Sequence, residues 1–339
     1  MARETSPKSG ELSILGRLAP RKLPWKVGLG LLALACVAAV PVALAAVAPE
    51  EPVFTSSANE ETPASDWNGA DEYIAFAKSR PSNAHAFDAY FGQLDTSTSP
   101  PTVVSPVKLN RSGQAFMGGM DLANNRVVFQ SIRRGQSNIR FYHPSSGTRS
   151  DAGVNTSKWE WRPTVSGNWL LFNRDSLTSP LQQVFLKDLS GTTPLQRLAY
   201  TRRDANTTFA GQVNGSYAVW TRCTPRCAVY VRDIAGATTT RLTNPSTTRR
   251  YQYAPSVTPD GRVYVARSSS SCGSNVRIFR YDPPITTATI ATQVGEIAPG
   301  ADTFSSFARD NGDGTVSVFY DRVNCGTNRW NVYKITDTP

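Results

Sequence analysis

Short stretches of alternating apolar and polar residues, separated by turn residues, follow one another from about residue 50 to the end of the chain. The clearest unit is Ala254–Arg267, in which two strand-like stretches flank the sequence Pro259-Asp260-Gly261. Proline fixes the backbone φ of a tight turn and glycine accepts a positive φ, so this unit predicts a β-hairpin. A serine-rich loop and a third alternating stretch, Asn275–Asp282, follow. Helical periodicity is missing after residue 50, so the pattern predicts an all-β fold.

The second and third strands of this unit recur six times. The copies of the second strand are Tyr73–Phe76, Arg126–Phe129, Trp169–Phe172, Tyr217–Trp220, Val263–Val265 and Val316–Phe319. The copies of the third strand are Ala89–Phe91, Ile139–Tyr142, Gln183–Leu186, Ala228–Val231, Val276–Phe279 and Trp330–Tyr333. Successive copies lie about 42 to 54 residues apart, which is the length of one four-stranded blade of a β-propeller. The sequence therefore predicts a six-bladed β-propeller.

The fifth repeat carries a family resemblance. Its segment Ala254–Gly261, followed by an apolar strand, a loop and Ile278–Asp282, resembles the WD-like repeat of the TolB-type six-bladed propellers. The third repeat keeps part of this pattern in Trp161–Asn168 and Leu186–Gly191, whereas repeats one, two and six lack the Pro-Asp-Gly turn. The resemblance covers most of residues 53–339. It implies an extracytoplasmic propeller that works through protein contacts and is not an enzyme.

The ring needs one more strand to close. The last repeat stops after its third strand, at Asp337–Pro339, and so lacks its outer strand. The segment Glu51–Ser56, which precedes the first repeat, is short and β-prone. We predict that it fills the gap, because an open sheet edge would invite pairing with another chain.

A polar, basic tail (residues 1–26) and an apolar run (residues 27–47) precede the propeller (residues 48–339). Cations beside an apolar run are the layout of an export signal, with the cations on the cytoplasmic side. The run is long enough to span a membrane as a helix, which predicts a retained transmembrane anchor. Pro41 and the small residues Ala43-Leu44-Ala45 favour a cleaved signal peptide instead. Either alternative places the propeller outside the cytoplasm, membrane-anchored or secreted.

The cysteines fit an oxidising compartment. Cys223 and Cys227 flank a hairpin loop, where facing residues come within disulfide range. Cys272 and Cys325 occupy the same loop of adjacent repeats. We therefore predict the disulfides Cys223–Cys227 and Cys272–Cys325, a pairing that the repeat register selects among the three that four cysteines allow. A zinc site is the alternative, and Cys36 is predicted to be a buried membrane cysteine within the apolar run.

Few residues in the chain suggest enzymatic chemistry. The two histidines, His85 and His143, lie at or near third strands of different repeats and are predicted to be surface residues. The sequence has no Gly-x-Ser-x-Gly nucleophile elbow and no phosphate-binding glycine loop, and Asp310–Gly314 lacks the ligand spacing of a calcium loop. We expect no catalytic residue, no cofactor and no metal. The alternative is a hydrolase of glycans or lactones whose carboxylates meet near the central channel.

The positive charge is unevenly distributed. In a propeller, the connections after the second and fourth strands share one face, here the even face, and those after the first and third strands share the odd face. The even face is predicted to hold Arg133, Arg134, Arg202, Arg203, Arg222, Arg226, Arg249 and Arg250, with Arg267 and Arg322. The odd face is predicted to hold Asp71, Asp121, Asp260, Asp310 and Asp313, with Asp95, Asp188, Asp233, Asp282 and Asp337 at the ends of third strands.

This asymmetry predicts a binding surface. Clustered arginines attract anions and hold carboxylates or phosphates through two parallel hydrogen bonds. We therefore predict that the even face binds an envelope protein or an anionic polymer. Nucleic acid is not an expected partner outside the cell. The alternative is that these arginines only solvate the surface, since Asp204 and Asp321 adjoin two of them.

Overall fold

The computed structural model describes residues 47–54, 56, 58–81, 83–116, 118–175, 181–202, 207–224, 227–242, 251–268 and 276–339. These residues form 25 strands in six antiparallel sheets. Each sheet is one blade, and the first strands of all six blades line a common central cavity. The prediction of an all-β, six-bladed propeller is confirmed.

Five blades are built from consecutive strands. Blade 1 comprises β2 (Glu60–Asn68), β3 (Asp71–Arg80), β4 (Asn83–Asp95) and β5 (Thr102–Lys108). Blade 2 comprises β6 (Met120–Ala123), β7 (Arg126–Arg133), β8 (Gln136–His143) and β9 (Thr148–Asp151). Blade 3 comprises β10 (Trp159–Ser166), β11 (Trp169–Asp175), β12 (Leu181–Asp188) and β13 (Gln196–Arg202). Blade 4 comprises β14 (Thr207–Asn214), β15 (Tyr217–Cys223), β16 (Cys227–Asp233) and β17 (Thr238–Arg241). Blade 5 comprises β18 (Tyr251–Val257), β19 (Val263–Ser268), β20 (Arg277–Tyr281) and β21 (Thr292–Glu296).

Blade 6 combines both ends of the described chain. Its C-terminal strands are β22 (Ala301–Asp302), β23 (Ser306–Asp310), β24 (Val316–Asn324) and β25 (Arg329–Asp337), and β1 (Glu51–Phe54) completes it. The pairing of β1 with β25 is antiparallel, with Glu51 opposite Lys334 and Pro52 opposite Tyr333. The predicted closing strand is therefore confirmed.

The core lies between neighbouring blades. Each sheet packs on a neighbour on both sides, so the second strands are buried on both faces and read as continuous apolar runs. Val127–Phe129 and Leu170–Phe172 are fully buried for this reason. The outer strands are more polar, and β5 is mostly exposed, which lowers the tendency of the rim to pair with other chains.

The inner strands are bent by β-bulges around the central cavity. Their pairing shifts register after Glu61, Trp161, Ala210 and Tyr253. In blades 1, 3 and 5 the residue at the bend precedes a proline and has a positive φ: Thr62 at 51°, Arg162 at 48° and Ala254 at 47°. A bulge of this kind increases local twist and re-aims the side chain at the bend.

The predicted N-terminal anchor or signal peptide (residues 27–47) lies almost entirely outside the described residues. In the part of the chain that the structure describes, no helix is both long enough and apolar enough to cross a membrane.

Candidate functional site: an arginine groove and two central vestibules

Five arginines meet on blade 2, in a surface groove of about 520 Å³. The arginine groove is lined by Arg111, Arg133, Arg134, Arg140 and Arg149, together with Ser112, Gln114, Ser131, Gln136 and Asn138. Two of these arginines, Arg133 and Arg134, belong to the set predicted from the sequence. The lining contains no acidic residue.

The register of blade 2 explains why these side chains share one side of the sheet. Arg133 lies opposite Gln136, Ser131 opposite Asn138, and Phe129 opposite Arg140. Because side chains alternate between the two sides of a strand, residues paired in this way point to the same side. The hairpin turns at Arg134 and Gly135, whose φ values of 50° and 75° are those of a tight two-residue hairpin loop.

One arginine of the groove is fixed by hydrogen bonds. Arg149 donates from Nε to the carbonyl oxygen of Leu109 (2.7 Å) and from Nη2 to that of Lys108 (2.8 Å). Its guanidinium also lies 5.5 Å from the centre of the Tyr142 ring. Within the described residues the other four, Arg111, Arg133, Arg134 and Arg140, form no ion pair.

Two acids of this region do not neutralise the groove. Asp88 is buried and accepts hydrogen bonds from Arg80 (2.7 Å) and Lys108 (2.6 Å), which hold the pKa of its carboxyl below the ordinary value against the effect of burial. Asp151 lies opposite Arg140 and offsets one positive charge at most, because no ion pair joins the two and its oxygens accept from the Gly153 backbone N–H and the Asn155 side chain. The groove therefore keeps a local excess of positive charge.

Several other predicted arginines are engaged or lie outside the described residues. Arg267 stacks over Phe279 at 4.3 Å, and Arg322 pairs with Glu50 at 2.8 Å. Arg222 lies in β15 and is half-buried. The side chain of Arg202 is outside the described part, as are Arg203, Arg226, Arg249 and Arg250. Of the described arginines predicted for the even face, only Arg133 and Arg134 lie in the groove.

The predicted acidic odd face needs a correction at Asp121. This residue is completely buried in β6, where it accepts hydrogen bonds from the backbone N–H groups of Leu122 and Val165, both at 2.7 Å. Burial, reinforced by the nearby charge of Asp66, raises the pKa of Asp121 to about 8. The inner strand carries it into the protein interior, so its placement on an exposed face was wrong.

Arginines also neutralise part of the odd face. Arg262 pairs with Asp260 and, at 3.4 Å, with Asp282. Arg280 pairs with Asp282 at 2.9 Å and with Asp337 at 2.8 Å. Asp260, Asp282 and Asp337 are thus held in an ion-pair network, whereas Asp310 and Asp313 of blade 6 are exposed and accept hydrogen bonds only within their own turn.

The cysteines follow the predicted pattern where they are described. Cys223 and Cys227 form a disulfide at the β15–β16 hairpin. Cys325 is also disulfide-bonded, whereas its predicted partner Cys272 lies outside the described residues. Since Cys223 and Cys227 are oxidised, they are not free thiolates, and the described residues contain no cluster of three or more possible metal ligands.

A buried glutamine divides the central cavity. Gln212 donates from Nε2 to the Ala308 carbonyl oxygen (3.0 Å), and its Oε1 accepts from the backbone N–H groups of Val257 (3.0 Å) and Ala308 (3.1 Å). Its side chain therefore spans from blade 4 to blades 5 and 6. Two vestibules result. The even-face vestibule is lined by Thr62, Pro63, Gly119, Met120, Arg162, Thr164, Ala210, Gly211, Gln212, Ala254, Pro255, Ser305, Ser306 and Phe307. The odd-face vestibule is lined by Ser65, Asp66, Leu122, Ala123, Val165, Gln212, Val213, Asn214, Pro259, Phe307, Ala308, Arg309 and Asp310.

Three ionisable residues from different blades, Glu61, Arg162 and Asp321, interact near the even-face vestibule. Burial and the nearby charge of Asp321 raise the pKa of Glu61 to about 8, and Arg162 opposes this rise. Asp321 is fully engaged: it accepts from the backbone N–H groups of Phe304 (2.7 Å) and Ser305 (3.0 Å) and from two hydroxyl groups. Sequence reasoning missed Glu61 and Arg162, because only the closed ring brings strands so distant in the chain together.

The one histidine whose side chain is described, His143, does not line the arginine groove or either vestibule. His143 lies in β8, where its Nε2 is 3.1 Å from the Ser150 hydroxyl on the surface. The side chain of His85 is outside the described part of the structure.

The comparisons with known proteins support the fold. No protein-family model matches the chain, and no curated protein matches it. Among solved structures, a protein of unknown function from Dyadobacter fermentans matches with a TM-score of 0.57 and 10% identity, over 86% of this chain and 98% of that one. The oligogalacturonate lyase of Vibrio parahaemolyticus matches with a TM-score of 0.48 and 8% identity, over 86% and 94%. A prolyl endopeptidase matches with a TM-score of 0.45 and 14% identity, over 83% of this chain and 43% of that one. This chain thus spans less than half of that peptidase, and such low identities show the fold alone.

Proposed function

We propose that this propeller is an extracytoplasmic binding protein that holds an anionic polymer, or an acidic segment of an envelope protein, in the arginine groove. The observation that carries the proposal is the gathering of five arginines around one groove, four of them without an ion-pair partner among the described residues. Like charges at close range repel, and an anionic ligand removes that repulsion while gaining charge-assisted hydrogen bonds.

The shape of the groove favours a ligand with several charges. Arg133 and Arg134 are exposed in the hairpin, Arg140 lies farther along β8, and Arg111 comes from the connection between blades 1 and 2. Cations arranged along a groove match a run of carboxylates or phosphates better than a single small anion. Arginine presents several N–H donors in a planar fork that fits either group.

Two disulfide-bonded sites support a location outside the cytoplasm. Disulfides persist in oxidising compartments and are rare in the cytosol, and this chain has Cys223–Cys227 and an oxidised Cys325. The basic tail followed by an apolar run favours export in the same way, whether the segment is cleaved or kept as an anchor. The resemblance of the fifth repeat to TolB-type propellers agrees with this location and stays a prediction.

The enzymatic alternative rests on carboxylates at the central cavity. Glu61 holds a proton at neutral pH, as a general acid would, and Asp321 lies near it. Asp321 however accepts four hydrogen bonds from the Thr303–Ser305 loop, so it has little capacity left to act as a base. This engagement favours the binding role over hydrolysis of glycans or lactones.

The binding proposal is tested with two polymers, polyphosphate and polyglutamate, whose binding to the protein is followed by fluorescence anisotropy at several salt concentrations. The test variant replaces Arg133, Arg134 and Arg140 with glutamine. We expect at least one polymer to bind the wild type, to bind the variant about tenfold or more weakly, and to dissociate as salt rises, since each lost charge-assisted contact contributes about 1.5–3 kcal/mol.

A matched control removes the same charge elsewhere. Arg197, Arg232 and Arg241 lie on blades 3 and 4, away from the groove, and their joint change to glutamine should leave binding within about twofold of the wild type. If both triple variants lose binding equally, the effect is that of net charge and the groove is not the site. If neither polymer binds the wild type, the proposal fails.

A further inference from the structure

Arg162 is the only one of three equivalent inner-strand residues that carries a charge. Thr62, Arg162 and Ala254 each precede a proline at the bend of an inner strand, and each has a positive φ near 50°. All three line the even-face vestibule. Blade 3 therefore places a long cationic side chain where blades 1 and 5 have a small residue, and the backbone bend directs it into the vestibule.

The guanidinium of Arg162 lies near two aromatic rings and forms few polar contacts. Its centre is 5.6 Å from the Trp161 ring and 5.1 Å from the Phe209 ring. One hydrogen bond, from Nη2 to the Phe304 carbonyl oxygen, measures 3.3 Å. Among the described residues, no carboxylate forms an ion pair with it. Burial lowers the pKa of Arg162, yet an arginine stays charged at neutral pH, so the vestibule contains a half-buried cation with N–H donors available to a ligand.

The acids around Arg162 do not supply the missing partner. Glu61 is neutral at pH 7 because burial and the charge of Asp321 raise its pKa to about 8. Asp321 attracts the guanidinium at longer range, but it forms no ion pair with it, and its oxygens accept hydrogen bonds from its own loop. Asp302 accepts from the Tyr253 hydroxyl and the Thr303 backbone N–H. A protonated carboxyl such as Glu61 offers an O–H donor and does not repel an anion.

The dimensions of the vestibule limit what fits. Its cavity is about 50 Å³, which suits a carboxylate group and is too small for a ring. Next to Ser305 of the lining, Phe304 is 48% exposed and lies 5.3 Å from the Trp330 ring, centre to centre. An apolar or aromatic group attached to the carboxylate could rest on these rings.

From this geometry we infer that the even-face vestibule captures the carboxylate end of an apolar organic acid, such as the C-terminus of a peptide, with the Arg162 guanidinium as the donor. This site is separate from the arginine groove and does not depend on it. Capture of a C-terminal carboxylate by a nest of backbone N–H groups is an established mode of peptide recognition, and an arginine presents comparable N–H donors to a carboxylate. The rest of the ligand would lie across Phe304 and Trp330.

Isothermal titration calorimetry of the full chain tests this with three probes: N-acetylphenylalanine, its amide, and phenethylamine as a cation of similar size. We expect the acid to bind and the amide to bind at least about tenfold more weakly, because it lacks the charge that pairs with the guanidinium. Arg162→Gln should weaken binding of the acid by a similar factor. Arg267→Gln is the matched control, since Arg267 also stacks on two aromatic rings, but in blade 5, and it should bind like the wild type.

The pH dependence gives an independent result. Wild-type affinity for the acid should fall as pH rises through about 8, because Glu61 then ionises and repels the ligand. Glu61→Gln cannot ionise, so its affinity for the acid should stay level over that range. Equal binding of acid and amide, wild-type affinity in a folded Arg162→Gln variant, preference for phenethylamine, or no binding of the acid at millimolar concentration would each overturn the inference.

Discussion

Gly119 shows how closely the inner strands approach one another. Its φ is 86°, and a Cβ added there would lie 2.3 Å from Cα of Arg162. Two separate costs therefore oppose any side chain at this position: a backbone conformation that L-residues rarely adopt, and a collision with the backbone of the next blade. The same contact positions Arg162, so the glycine also helps to shape the even-face vestibule.

We predict that Gly119→Ala destabilises the protein by roughly 2–5 kcal/mol, since backbone strain and overpacking add. Gly312→Ala is the matched control: its φ is 77°, but no atom lies within 4 Å of the added Cβ. The control should cost only about 1–2 kcal/mol. Urea unfolding of both variants measures the difference. If the two variants lose the same free energy of unfolding, the close approach of the blades is not what requires glycine.

At the scale of the strand, the sequence predicted best those strands that are buried, because burial requires apolar residues. The second strands, such as Val127–Phe129, are buried on both faces, so their apolar runs revealed the repeat. The closing strand β1 was predictable because the last repeat lacked a partner for β25. By contrast, the first strands, which line both vestibules, show little regular alternation of apolar and polar residues. The approach of Glu61 to Arg162, and the gathering of Arg111 with Arg140, depend on the curvature of the ring and on pairing register, which no local pattern records.

We predict that β1 keeps the chain monomeric as well as stable. Val53 and Phe54 are 1% and 6% exposed, and the Phe54 ring lies 4.7 Å from that of Phe76. The double change Val53→Asp and Phe54→Asp should prevent docking, cost about 3–6 kcal/mol of apolar burial, and leave the edge of β25 open to self-association. Thermal unfolding and light scattering after gel filtration measure both effects. The control Glu51→Ala removes only an exposed 3.8 Å contact with Lys334 and should change stability by less than about 1 kcal/mol.

At the scale of the whole molecule, tight packing leaves two carboxyls protonated near neutral pH. Glu61 precedes Thr62, which lines the even-face vestibule, and Asp121 joins blade 2 to blade 3 through the Val165 backbone N–H. The pKa values of both are raised to about 8, whereas the same groups in an unfolded chain titrate near 4. At these two groups the folded protein therefore binds more protons than the unfolded chain between about pH 4 and pH 8.

The raised pKa of Asp121 determines whether the free energy of unfolding rises or falls with pH. A group whose pKa is raised by folding stabilises the folded state below the unfolded pKa, and that stability is lost as pH rises through the folded pKa. Asp121 should thus contribute a fall of roughly 1 kcal/mol per pH unit to the free energy of unfolding between about pH 5 and pH 7. Asp121→Asn removes the titrating group and should flatten the curve by that slope, even if the lost acceptor lowers stability at every pH. Urea unfolding of both proteins across this range measures the two slopes. If the slopes are equal, Asp121 is already ionised in the folded state. The hydrogen bonds from Leu122 and Val165 would then outweigh the effect of its burial.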